Sequence, residues 1–123
     1  MATAAQHREQ ARGNRELAGR LLAAYPDDPI ALQWVVTTAF YAALHALTSH
    51  LVEQGISVRS HIQRDAALAD PGNGIPQDAY EAYKRLKTRS ESGRYDLCRF
   101  APEDVATTIL GRYLATVTTF VGL

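Results

Sequence analysis

Apolar positions recur along this chain with the period of a helix, and almost no segment alternates like a strand over more than a few residues. The first pattern runs from about Ala4 to Ala24, with His7, Ala11, Asn14, Ala18, Leu21 and Tyr25 along one side. Its start, about residues 1–12, is polar enough to fray. "YPDDP" ends it. Asp28 is a good N-cap and Pro29 suits a first helical position, so a second helix begins there and continues to Gln54, ahead of Gly55. A short third helix is expected over about His61–Ala69, before "DPGNGIP" breaks the chain. A fourth covers about Gln77–Gly93. A fifth, Pro102–Val121, opens with Glu103 and Asp104, where the helix dipole favours carboxylates. Helices joined by short links predict an all-α fold: one antiparallel bundle of about five helices spanning residues 1–123.

The second helix is the most informative. Val36, Phe40, Ala43, Leu47 and Leu51 make an ordinary core stripe. Trp34, Thr38, Tyr41, His45, Thr48 and Val52 make another, roughly 160° away, while Val35, Ala39, Ala42 and Ala46 form a smooth edge that a neighbouring helix can approach closely. A helix this apolar on every side is central in its bundle or shared with a partner subunit. Tyr41 and His45 place a hydroxyl and an imidazole one turn apart in a mostly apolar setting, where each needs a hydrogen-bond partner. His45 is then either a satisfied core histidine or a group that exchanges protons. His50 projects to the other side of the helix, so no paired-histidine metal site arises here. His7 is expected in solvent, and His61 opens the third helix.

Charge and composition narrow the function. Thirteen basic and thirteen acidic side chains cancel, which argues against nucleic-acid binding by bulk electrostatics and requires any such site to be local. Residues 84–99 supply one candidate, holding Lys84, Arg85, Lys87, Arg89, Arg94 and Arg99 against only Glu91 and Asp96. A solvated helix face is the plainer reading of the same residues. On the fourth helix Ala79, Tyr83, Leu86 and Gly93 point inward, with Arg89 at the edge of that stripe. An inward guanidinium costs several kcal/mol of desolvation unless an anion or carbonyls compensate. Otherwise it snorkels to solvent or pairs with Glu53, Asp65 or Glu91.

One cysteine, Cys98, permits neither an internal disulfide nor a cysteine-based zinc site, so an intracellular, cytoplasmic setting is expected. "MATAAQHREQ" has no apolar secretory core. "WVVTTAFYAALHALTSHLV" could span a bilayer by length, but its threonines, serine and two histidines favour a buried helix away from any membrane. The glycine-rich loop lacks side-chain oxygens at the calcium-ligand positions Gly72 and Gly74, and lacks the lysine of a phosphate loop. No metal or cofactor is expected.

The order "AFYAALHALTSHLVEQG", "SH", "YEAYKRLKTRSESGRYD" and "APEDVATTILGRYLATVTTF" resembles the HEPN superfamily, small helical domains of prokaryotic toxin–antitoxin, defence and nucleotidyltransferase-associated systems. Residues 38–120 carry the resemblance. It implies a four- or five-helix bundle, commonly a homodimer, whose active members are metal-independent ribonucleases with an arginine followed after four to six residues by a histidine. Arg89 occupies the arginine position here, but Tyr95 stands where the histidine is expected. Tyrosine, with a reference pKa of about 10, is no ready acid or base near neutrality, although it can donate to a phosphate. The resemblance implies that Tyr41, His45, His61, Arg89 and Tyr95 converge on a polar cleft for RNA or nucleotide. In that cleft Arg89 contacts the anion, Arg94 assists, and His45 or His61 orients or exchanges protons. A nucleotidyltransferase-type antitoxin is the implied partner. A metal-independent endoribonuclease toxin and a purely structural dimerisation domain are the alternatives. All three turn on whether Arg89 and His45 share a pocket.

Overall fold

The computed structural model describes residues 1–123, and all its regular structure is helical. The helices are α1 (Ala4–Ala24), α2 (Pro29–Glu53), α3 (His61–Ala69) and α4 (Gln77–Tyr95). Three contiguous segments, Pro102–Asp104, Val105–Leu114 and Ala115–Val121, then form one continuous helix, α5. A 3₁₀ turn at Pro71–Asn73 joins α3 to α4. The all-α, five-helix bundle read from the periodicity is the fold this chain adopts.

Local chemistry sets most of the boundaries. The Asp28 carboxylate accepts the N–H groups of Ile30 and Ala31, and Pro29 follows it, as an N-terminus with four unpaired donors requires. Ser60 caps α3 by accepting from the Gln63 N–H. The start of α1, expected to fray, carries capping bonds. The Thr3 hydroxyl accepts the Gln6 N–H at 3.1 Å while the Gln6 side chain accepts the Thr3 N–H at 2.9 Å, a reciprocal capping box. Two arginines of α1 reach across to the end of α5. Arg8 donates to the Val121 and Gly122 carbonyls at 2.7 and 3.1 Å, and Arg15 to the Leu123 carbonyl at 3.1 Å. Those carbonyls are ones a helix end leaves open, so the polar residues that suggested fraying tie the two chain ends together.

Helix α2 is central and touches all four other helices, with its most extensive pairing against α1. Val35, Ala39, Ala42 and Ala46 are fully buried, as are Ala11 and Ala18 of α1. Small side chains on both helices let them lie close. The remaining core joins Val36, Leu47 and Leu51 to Leu86 of α4 and to Val105, Ile109 and Val117 of α5. By length and composition α2 could cross a bilayer, yet most of its apolar window is buried inside the bundle.

Helix α4 runs two residues past Gly93, and close packing explains the glycine. A Cβ at position 93 would lie 3.0 Å from the Phe100 ring, which folds back over it. Leu97 turns the chain here with φ 56°, a left-handed conformation that disfavours a non-glycine residue, and the Cys98 N–H closes onto the Ser92 carbonyl at 3.0 Å. The Gln33 amide of α2 holds the Cys98 carbonyl at 2.9 Å. Within α5, Val105–Leu114 is wound as a wide π-helix, and Gly111 suits it because a Cβ there would meet the Ala106 carbonyl at 3.0 Å.

Candidate functional site

A cleft of about 340 Å³ opens between α2, α3 and α4. Phe40, Leu44 and Tyr83 line its apolar part, and Tyr41, His61, Arg64, Asp65, Lys87, Glu91, Arg94 and Tyr95 supply its polar groups. Helix geometry accounts for the assembly. His61 and Arg64 are three residues apart on α3, and Tyr83, Lys87, Glu91 and Arg94 recur at helical spacing on α4, so each set shares a face. Four of the residues singled out from the sequence, Tyr41, His61, Arg94 and Tyr95, thus meet in one place.

Arg94 is held between aromatic rings. Its guanidinium carbon lies 6.0 Å from the Tyr41 ring centre and 5.0 Å from that of Tyr95, within cation–π range, and its Nε donates to the Ser90 carbonyl at 3.4 Å. Lys87 is engaged by Asp65 at 3.4 Å. Arg64 differs from both: its Nε is buried and has no hydrogen-bond partner. An unpaired, desolvated guanidinium nitrogen is a standing cost of this packing. Burial, and then the neighbouring Asp65 carboxylate, push the Tyr83 hydroxyl well above the usual phenol range, which keeps it protonated.

His45 lies one turn beyond Tyr41 and is half-buried against α1. Its partner is His7, which the sequence placed in solvent. The two Nδ1 atoms are 3.0 Å apart, with ring centroids separated by 5.3 Å and planes inclined by 27°. Rings whose nitrogens touch at that centroid separation meet tip to tip and do not overlap face to face, which is the geometry of an N–H···N hydrogen bond. One Nδ1 must carry the proton and the other must accept it, so while the pair is neutral the rings hold opposite tautomers. Desolvation lowers the pKa of both rings. At His45 the second cause is His7 and the third is the Arg64 guanidinium, while at His7 Arg64 comes second. Arg64 therefore belongs electrostatically to the histidine pair as well as to the cleft.

Arg89 does not join this site. It projects toward α5 and forms an ion pair with Asp104 at 3.2 Å, with both side chains more than one-third exposed. The depression beside it is lined by Glu81, Lys84, Arg85 and Thr88, and His45 lines neither that depression nor the α2–α3–α4 cleft. The expected common pocket of Arg89 and His45 is thus corrected. Its carboxylate partner also differs from Glu53, Asp65 or Glu91, because Asp104 opens α5 directly opposite this face of α4. His50, on the far side of α2, bonds the Asn73 carbonyl at 2.7 Å and meets Phe120 edge-on, a packing role.

In comparisons with known proteins, no family model, no curated protein and no solved structure matches this chain.

The depressed histidine pKa values set the sign of the pH response. Between its folded and unfolded pKa, each ring binds a proton more readily in the unfolded chain, so stability is complete above about 6.5 and is lost as pH falls through that value. The urea midpoint of the wild type should therefore drop on acidification below about pH 6.5, before carboxylates titrate. The drop should be smaller in His45→Gln; equal slopes for the two proteins would show that the pair carries no such linkage.

Proposed function

We propose that this chain is a HEPN-type binding module whose α2–α3–α4 cleft holds a phosphate of RNA or a nucleotide. The observation that carries this reading is the pairing in one cleft of two guanidiniums, Arg64 and Arg94, with the tyrosines Tyr41 and Tyr95. One guanidinium is stacked between aromatic rings and the other is left with an unpartnered buried nitrogen. Guanidiniums match phosphate oxygens in geometry, and tyrosine rings accept bases by stacking. In this reading Arg64 and Arg94 take the role that the resemblance implied for Arg89. A toxin–antitoxin or defence-type setting in the cytoplasm, with a nucleotidyltransferase-type partner, belongs to the same proposal and rests on that resemblance.

A labelled single-stranded oligoribonucleotide followed by fluorescence anisotropy tests the cleft. Arg64→Ala and Arg94→Ala should each weaken binding by about tenfold or more, as the loss of a charged hydrogen bond implies, and binding should weaken with salt. Arg89→Ala should bind like the wild type. Absence of wild-type binding, or a loss confined to Arg89→Ala, discards the reading.

A second copy of the chain is the proposed partner on α2. Ile30, Trp34 and Tyr41 fall within about 40° of one another around that helix and are 58%, 57% and 37% exposed. Tyr95 and Leu97 stand exposed at the adjoining end of α4. Large apolar side chains left open on one stripe favour an isologous contact. Sedimentation should give a dimer for the wild type and a monomer for Trp34→Glu; a monomeric wild type at micromolar concentration removes the self-association.

The endoribonuclease reading is favoured by one observation, the His7–His45 pair, which offers an acceptor Nε2 on one ring and a donor Nε2 on the other. RNA incubated with the protein in chelator should then be cleaved, with cleavage abolished in His45→Ala. Intact RNA at micromolar protein leaves the module as a binder. A purely structural domain accommodates the Arg89–Asp104 pair but gives the Arg64–Arg94 cleft no role.

A further inference from the structure

We propose that filling the cleft with its phosphate ligand is coupled to the uptake of a proton, and that the hydrogen-bonded His7–His45 pair is where the proton is taken up. This deepens the phosphate-binding reading and rests on it.

The geometry supplies the capacity. A neutral N–H···N pair accepts a proton at the free Nε2 without moving either ring, and the bridging bond becomes charge-assisted. A second proton would set N–H against N–H across 3.0 Å, so the pair stores a single charge. The in-line approach of the nitrogens also leaves no space between them for a metal ion.

The coupling comes from Arg64. It lines the cleft with an unpartnered buried Nε, and its charge opposes protonation of both rings. An anion seated on Arg64 cancels that opposition, so the pair binds a proton more readily when the cleft is filled. By reciprocity, the protonated pair strengthens anion binding by the same factor.

The surrounding charges fit this arrangement. The charged groups acting on the pair are Arg64 of α3, on both rings, and His7, on His45, while the cleft carboxylates, Asp65 of α3 and Glu91 of α4, act on Tyr83 instead. Lys87 is engaged by Asp65, and Arg94 is packed between Tyr41 and Tyr95. His61, exposed at the cleft rim, is the one histidine that lines the cleft itself, and His50 lies on the far side of α2.

A 2′-O-methyl oligouridylate is a suitable probe, since its phosphodiesters do not titrate near neutrality and it lacks the free hydroxyl that RNA cleavage requires. Calorimetric titration of the full chain in PIPES and in imidazole, at equal pH near neutrality, reports protons exchanged on binding as a difference in heat. The expected result is uptake of a fraction of one proton that grows as pH is lowered, with binding tightening about fivefold as pH falls from 8 to 6, the low end of coupling between linked sites. His7→Gln and His45→Gln should bind with the same heat in both buffers, while His61→Gln should retain the difference. Wild-type binding with equal heats overturns the proposal and leaves the cleft intact. Uptake that vanishes in His61→Gln but persists in His45→Gln overturns it by placing the proton elsewhere. No binding in either buffer at any pH overturns the phosphate-binding reading as well.

Discussion

A helix that is apolar on nearly every side must be enclosed, and the enclosure of α2 governs the rest of this molecule. Fourteen of its twenty-five residues are buried, too many for one packing face, so α1 covers the alanine edge while α4 and α5 close over the Val36–Leu47–Leu51 side. What is left is one narrow strip carrying Trp34, Tyr41 and His45, while the Thr48 and Ser49 hydroxyls stay buried by bonding back to the Leu44 and Ala46 carbonyls. The short α3 does not seal it. A cleft floored by Phe40, Leu44 and Tyr83 results, and Arg64 and Asp65 of α3 with Lys87, Glu91 and Arg94 of α4 line it. The site is the unfilled remainder of a packing problem.

This origin explains why Arg94, and not Arg89, meets the cleft. At 100° per residue Arg94 lies about 20° from Tyr83 around α4, whereas Arg89 lies about 120° away. Tyr83 is 3% exposed and faces the cleft floor, so its stripe decides the matter. Arg89 was read against Leu86, which also faces inward but toward α5, and the structure accordingly gives it Asp104. The exposed Arg89–Asp104 pair is of the kind that adds little to stability. Arg94 is instead packed between Tyr41 and Tyr95 and lines the cleft.

The helix ends were legible because their causes are local. Asp28–Pro29 and Ser60 act on donors two or three residues away, and each boundary fell within a residue or two of its reading. The stripes of α2 were legible for the same reason, since periodicity needs no knowledge of neighbours. The histidine pair was not: His7 and His45 are thirty-eight residues apart, and a polar turn at the start of α1 looks solvated until α1 is laid against α2. Arg64 was also missed, although a signal existed. It follows His61 by three residues on a short helix, which puts it on the same face as a residue already singled out. Which way that face turns depends on the link from Glu53 to Ser60, and no period in the sequence specifies it.

The neutral net charge then takes on a physical meaning. Of the fixed charges lining the cleft, Arg64, Lys87 and Arg94 oppose Asp65 and Glu91, so the site is only weakly positive while the histidines are neutral. A chain with no overall excess attracts an anion weakly at long range and must supply its potential at contact. The His7–His45 pair feels the charge of Arg64 and can add charge of its own when an anion makes it favourable. That arrangement needs α1 in place, because His7 is its only contribution to the pair. The capping box at Thr3 and the bonds of Arg8 and Arg15 to the last carbonyls of the chain hold that first turn where an amphipathic pattern alone would leave it loose. The polar residues that make the start of α1 look dispensable are the ones that keep an imidazole against α2, so removing them would disconnect the proton chemistry while leaving the apolar core untouched.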